Sequence, residues 1–151
     1  MIKFYLLFAT NKDGDSSSTF HYYCDGVFPT VTFVLDTSGR RFGGKSSQNW
    51  SQLSFGSSYS GGQCSFIFNL SNKYKYYLID QFNASAIYHH NSYGPTFGGG
   101  HDLYLANGCI SNTSNYCNKS SYDTGSNNLL GNSGSTSFQV SNYEVYKVVF
   151  E

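Results

Sequence analysis

The chain has 151 residues and a mass of 16.8 kDa, enough for one domain with its own core. Hydrophobic residues make up 39% and aromatics 19%, with 14 Tyr and 13 Phe, whereas charged residues reach only 12%, about half the usual share of roughly 25%. Nine Lys+Arg against nine Asp+Glu exclude a disordered acidic or basic tail and give no support to a nucleic-acid partner. No apolar run approaches the roughly 20 residues of a membrane-spanning helix, so membrane insertion is not expected.

The apolar stretch Phe4 to Ala9 is shorter than the core of a secretory signal, and the charged segment NKDGD follows at once. KFYLLFA (3–9) therefore reads as a first strand and NKDGD (11–15) as a turn. SSSTFHYYC (16–24) predicts a short helix, because serines offer an N-cap and Phe20, Tyr23 and Cys24 share one helical face. VTFVLD (31–36) alternates Val31, Phe33 and Leu35 against Thr32, Val34 and Asp36, the period of a strand. Residues 40–44 form its hairpin partner after a turn at 37–39. The Ser/Gly/Tyr-rich stretch 51–63 has no period and reads as a loop. CSFIFNL (64–70), YKYYLID (74–80), AIYHH (86–90) and DLYLA (102–106) are further strands. Residues 107–137 are rich in Asn, Ser and Gly, and are expected to hold a short helix or turns packed on the sheets. The last strand, 138–150, changes the parity of its apolar residues between Val140 and Tyr143, which calls for a β-bulge near Ser141–Asn142. Many short strands with glycine-rich turns predict a mainly β fold: a sandwich of two antiparallel sheets with a few short helices, in a single domain over 1–151.

Four cysteines, Cys24, Cys64, Cys109 and Cys117, show no CxxC or zinc-ribbon spacing. They read as free thiols in a reducing compartment. Five N-x-S/T acceptor sequences, at Asn49, Asn69, Asn83, Asn112 and Asn118, are a weak excess over chance in so Asn- and Ser-rich a chain. A cytoplasmic location is the expectation.

Residues 39–46, GRRFGGKS, fit the phosphate-binding pattern G-x-x-x-x-G-K-[ST], and the strand ending in Asp80 resembles its acidic partner. That pattern works only where the loop opens a helix. The residues after Lys45 lack a helical period, so residues 39–46 read as a hairpin strand ending in glycines. Gly98-Gly99-Gly100 with His101-Asp102 could suggest an anion loop or part of a hydrolytic triad, but neighbouring residues of a strand face apart. Those glycines read as a loop of unusual backbone angles that lets two segments pass closely. His89-His90 cannot chelate one ion together, for the same reason, and His21 and His101 lie scattered. No metal or cofactor is expected. Paired carboxylates for glycosidase chemistry have no support in the sequence, and Trp50 with the many tyrosines could line a surface or fill the core.

Five segments taken in order resemble the TLDc domain: FYLLFATNKDGDSSSTFHYYCD (4–25), PTVTFVLDTSGRRFGGKSSQNW (29–50), CSFIFNL (64–70), GPTFGGGHDLYL (94–105) and FQVSNYEVYKV (138–148). The fourth is the most specific. The chain departs from the pattern in beginning at the first strand, where family domains usually carry a preceding helical segment, and in placing Lys45 where an aromatic is usual. The resemblance implies a two-sheet sandwich without an established catalytic centre. It also implies a link to oxidative-stress protection and docking on the vacuolar proton ATPase. The family's marked positions fall on Gly14, Gly43, Gly44, Gly98, Gly99, Gly100 and Glu144. Glu144 is expected either to meet the amides of the triple-glycine loop or to be solvated on an edge strand. The leading expectation is a non-catalytic protein-interaction module. The alternatives are a permanent structural subunit joined through an uncovered sheet edge, and an enzyme, either a nucleotide hydrolase using Lys45 and Asp80 or a thiol peroxide scavenger.

Overall fold

A computed structural model describes residues 1–51, 58–62, 64–79 and 84–151. Asp80, Asn83 and most of the stretch between Ser51 and Ser58 lie outside the described residues. The elements run β1 (Ile2–Ala9), α1 (Thr10–Asp13), α2 (Ser17–Cys24), β2 (Thr30–Asp36), β3 (Arg41–Ser46), β4 (Ser58–Ser60), β5 (Phe66–Asn69), β6 (Tyr74–Tyr77), β7 (Ile87–His89), β8 (Tyr93–Phe97), β9 (Leu103–Ala106), β10 (Tyr116–Cys117), β11 (Thr136–Ser137) and β12 (Val140–Phe150). Two antiparallel six-stranded sheets result, ordered β1-β12-β2-β3-β5-β6 and β11-β10-β9-β8-β7-β4. The expected two-sheet, mainly β fold with short helices is what forms.

The helix at 17–24 is capped as its serines suggested: the Ser16 side chain accepts from the Thr19 backbone N–H at 3.2 Å. The bulge in β12 is also present, as a register shift against β2 between Val140 and Asn142. Three expectations need correction. The turn at 11–15 begins as one helical turn, α1, ended by Gly14 at φ +83°. Part of the expected loop 51–63 is the edge strand β4, which pairs with β7. β8 was not anticipated; it carries Gly94 and Pro95, residue types unfavourable within a strand, and a register shift falls between Tyr93 and Thr96. Residues 107–137 take the second of their two expected forms, turns rather than a short helix, together with the short strands β10 and β11.

Buried amides order that last segment in place of a helix. Asn115 accepts from the Ala106 N–H at 2.9 Å and donates to the carbonyls of Cys109, Asn112 and Phe138. Asn128 does the same work for the turn around it, accepting from Leu130 and donating to Gly134 and Thr136. Satisfying buried backbone groups this way substitutes for a ladder or helix.

The core lies between the sheets and is dominated by aromatics. Phe8, Phe20, Phe42, Trp50, Phe97, Tyr122 and Tyr143 are all essentially inaccessible. Trp50 is therefore a core residue, and its indole N–H donates to Thr30 Oγ1 at 2.9 Å. The alternation in β2 is real, but its polar-looking side faces inward. Thr30, Thr32, Val34 and Asp36 are buried between the sheets, while Val31, Phe33 and Leu35 point to the other side of the first sheet. Thr30 can face inward because it accepts from Trp50. Asp36 can because it accepts from the Ser38 and Arg40 amides and pairs with the Arg40 guanidinium at 2.6 Å.

Candidate functional site

The triple-glycine segment joins β8 to β9 and is organised around one carboxylate. Asp102 is fully buried and accepts from the backbone N–H groups of Ser120, Ser121 and Tyr122 at 2.9–3.1 Å. Burial pushes its carboxyl up, and the three amides oppose that by favouring the charged form. Gly98 sits at φ +89°, and a Cβ there would collide with the Asp102 carboxylate. The Gly99 and Gly100 N–H groups donate to Ser121 Oγ and Ser120 Oγ at 2.7 and 2.9 Å. These amides are thus engaged by the chain's own 120–122 segment. His101 faces away from Asp102, into a layer of rings with Tyr88, Tyr93, Tyr104 and Tyr116 at 4.9–6.2 Å between centroids. The two side chains do not form a His–Asp pair.

The phosphate-loop resemblance places nothing around a phosphate. Residues 41–46 are strand β3, paired on one side with β2 and on the other with β5. No helix starts at Lys45, so the converging N-terminal amides of a phosphate loop are missing there. The Lys45 ammonium donates to the Cys64 carbonyl at 2.9 Å. Gly44 faces the inter-sheet core, where a Cβ would come within 2.6 Å of the Phe97 ring, and Gly43 faces outward under the Phe68 ring. Gly14 caps α1 far from either cluster.

None of the four cysteines is joined to another; Cys24, Cys109 and Cys117 are buried and Cys64 is exposed. Burial pushes the Cys24 and Cys117 thiols far up and the Cys109 thiol to about 12, so these three are held protonated and are poor nucleophiles. Iodoacetamide is expected to modify Cys64 in the native protein and the other three only on unfolding, as intact-mass spectrometry would read. Among the described residues no three His, Cys, Asp or Glu side chains gather as a metal site. His89 is buried and meets Ser60 Oγ at 2.6 Å, whereas His90 stacks on Tyr93 at 4.4 Å. The adjacent histidines thus do part to opposite sides.

His21 has a more specific setting than its sequence neighbourhood revealed. Its Nδ1 lies 2.7 Å from Asp25 Oδ1, and its Nε2 lies 3.0 Å from the carbonyls of both His90 and Tyr93. Every partner is an acceptor, so the doubly protonated ring fits best. Burial pulls its pKa down, but the Asp25 carboxylate and the two carbonyls outweigh it and the value is raised. The stabilisation is complete below the unfolded value near 6.5 and is lost as pH rises through the higher folded value. His89 and His101 are shifted down by burial, so they cost stability only below about 6.5. Unfolding free energy should therefore fall above pH 6.5 with a slope of at most about 1.4 kcal/mol per pH unit. Asp25→Asn should flatten that limb in denaturant titrations.

The open feature of the molecule is the outer face of the first sheet. Val31, Phe68 and Val148 form a second small cluster there, packed against Phe33, Phe66 and Tyr146. Ring contacts extend it from Phe4 to Tyr146 at 6.4 Å, on to Phe33 at 5.9 Å, and on to Phe68 at 5.5 Å. Beside them lies a groove of about 650 Å³ reaching from Ile2 and Phe150 to Lys73 and Lys75. Phe4 and Phe150 remain 54% and 63% exposed, far above what a covered sheet face allows. A contiguous apolar surface of this kind is a candidate interaction site.

Glu144 stands at one end of that face. It lies on β12, between β1 and β2, so it is on an interior strand of the sheet. Its carboxylate accepts from the Tyr146 hydroxyl at 2.6 Å and from the Asn142 amide at 3.4 Å, and it pushes the Tyr146 phenol up to about 12. Neither expected setting holds: it does not meet the triple-glycine amides, and it is not on an edge. The outer face itself went unmarked in the sequence. Its signal was present, because segments such as KFYLLFA and YKVVF are near-continuous apolar runs, the pattern of strands covered on both faces.

Comparison with family models matches residues 1–149 to the TLDc domain. No curated protein matches the chain.

Proposed function

The chain belongs to the TLDc family, and from that premise we propose that it is a non-catalytic docking module, attached in the cytoplasm to a larger assembly for which the vacuolar proton ATPase is the family's candidate. The family is associated with oxidative-stress resistance, and its domain is of the protein-interaction type. Among the described residues no helix is long and apolar enough to cross a membrane.

One observation carries the reading: the uncovered apolar face of the first sheet, with exposed Phe4 and Phe150 beside a groove of about 650 Å³. Among the described residues nothing comparable supports turnover. The Gly99 and Gly100 amides are engaged internally, the GRRFGGKS segment continues into a strand, and three of the four thiols are buried. The glycines at 14, 43, 44, 98, 99 and 100 serve the main chain, and Glu144 anchors one end of the docking face. Co-sedimentation with purified vacuolar proton ATPase tests the reading. Wild-type protein should bind, and Phe4→Ser/Phe150→Ser should lose at least tenfold in affinity while keeping the wild-type circular dichroism. Wild-type protein that stays in the supernatant contradicts the assignment to that assembly. The alternative is a permanent structural subunit joined through an uncovered sheet edge, and sedimentation separates the two readings: a soluble, stable monomer favours reversible docking.

A further inference from the structure

We propose that the outer face of the first sheet is the seat of an amphipathic helix from a partner protein, one flank of which is acidic. The inference rests on the docking reading above and adds the chemistry of what docks. Three observations carry it.

The first is the floor of the groove. It is built from side chains standing on a complete antiparallel ladder, in which β12, β2, β3 and β5 each pair on both sides. Their backbone donors and acceptors are engaged, so the floor offers none to an incoming chain. An occupant must bring its own backbone hydrogen bonds already made, which a helix does and a lone extended strand does not. The second is shape and composition. Val31, Phe33, Phe66, Phe68 and Val148 give apolar ground for side chains spaced i, i+3, i+4 and i+7.

The third is charge. In a chain of zero formal net charge, the described residues lining the groove include Lys45, Lys73 and Lys75 and no Asp or Glu. No described carboxylate forms an ion pair with any of the three. Lys75 holds its ammonium over the Phe66 and Tyr77 rings at 4.4 and 4.9 Å, at the border between the apolar floor and solvent. A helix seated on the phenylalanines therefore presents one flank to Lys73 and Lys75 at the β6 side, neither in a described ion pair, and Asp or Glu on that flank complements them.

The test uses the purified full chain and two synthetic peptides of about 18 residues, long enough to hold a helix once bound. Both carry the same Leu/Ile stripe; one has Glu along one flank and the other has Lys at those positions. Fluorescence anisotropy should show the Glu-flanked peptide binding at least tenfold tighter than the Lys-flanked one, with the difference shrinking as salt rises. Lys73→Glu/Lys75→Glu, both exposed, should abolish the preference, and Phe150→Ser should weaken both peptides. Equal binding of the two peptides overturns the proposal, as does no binding by either. Displacement of neither peptide by palmitate is expected; palmitate binding that excludes both peptides assigns the groove to a single-chain lipid and overturns it. Concentration-dependent dimers that Phe150→Ser dissolves assign the face to a second copy and overturn it too. Co-sedimentation with the proton ATPase judges the docking reading separately, because it can succeed or fail whichever peptide binds.

Discussion

Replacing Asp102 with asparagine is expected to cost about 4 kcal/mol of unfolding free energy, and with it roughly 10 °C of melting temperature. Three backbone amides converge on that buried carboxylate. An asparagine leaves one acceptor oxygen and turns an NH₂ donor toward N–H groups, so buried donors lose their partner. Gly98→Ala should be nearly as damaging, since the residue sits at φ +89° and its methyl would strike the same carboxylate. The two changes share atoms and cannot be additive. In an Asp102→Ala background the added cost of Gly98→Ala should drop to the backbone strain alone, about 1–2 kcal/mol. A double-mutant cycle by urea unfolding reads this directly. Additive costs would mean that Gly98 does not exist to make room for Asp102.

Gly44→Ala is the second large effect, at about 3 kcal/mol. The new methyl would lie 2.6–2.9 Å from three carbons of the Phe97 ring. That ring cannot retreat, because it packs edge-on against buried Trp50 at 5.4 Å. Phe97→Leu should restore part of the loss in the Gly44→Ala background while costing stability on its own, and chemical denaturation of the four proteins would show that reversal. If Gly44→Ala were neutral in stability, Gly44 would need a role other than letting the two sheets approach.

Much of this architecture could be read from residue order. VTFVLD, CSFIFNL and YEVYKVVF declare strands by composition and period, and SSSTF declares a capped helix, because those signals are local. What escaped was set by distant partners. The strand at 93–97 carries Gly94 and Pro95, residue types unfavourable within a strand, and a register shift falls between Tyr93 and Thr96. β2 turns Thr30 and Asp36 inward only because Trp50 and Arg40 meet them there.

The site divides along the same line. The glycines at 43–44 and 98–100 could be assigned to the main chain from residue chemistry, whereas the atoms they make room for, Phe97 and Asp102, needed coordinates. Glu144 was misplaced in both expected settings, because which strand flanks which cannot be counted along the chain. The outer face was visible only as apolar runs without alternation, a pattern that says both sides are covered but not by what.

Site-specific photo-crosslinking in cells tests the proposed docking of a partner on this outer face most directly. Benzoylphenylalanine would be placed at Phe4 and Phe150 on the face, and at exposed Tyr22 of α2 away from it. The account predicts adducts to a common protein from positions 4 and 150, suppressed by Lys73→Glu/Lys75→Glu, and none to that protein from position 22. Adducts from position 22 with none from 4 or 150 would contradict it.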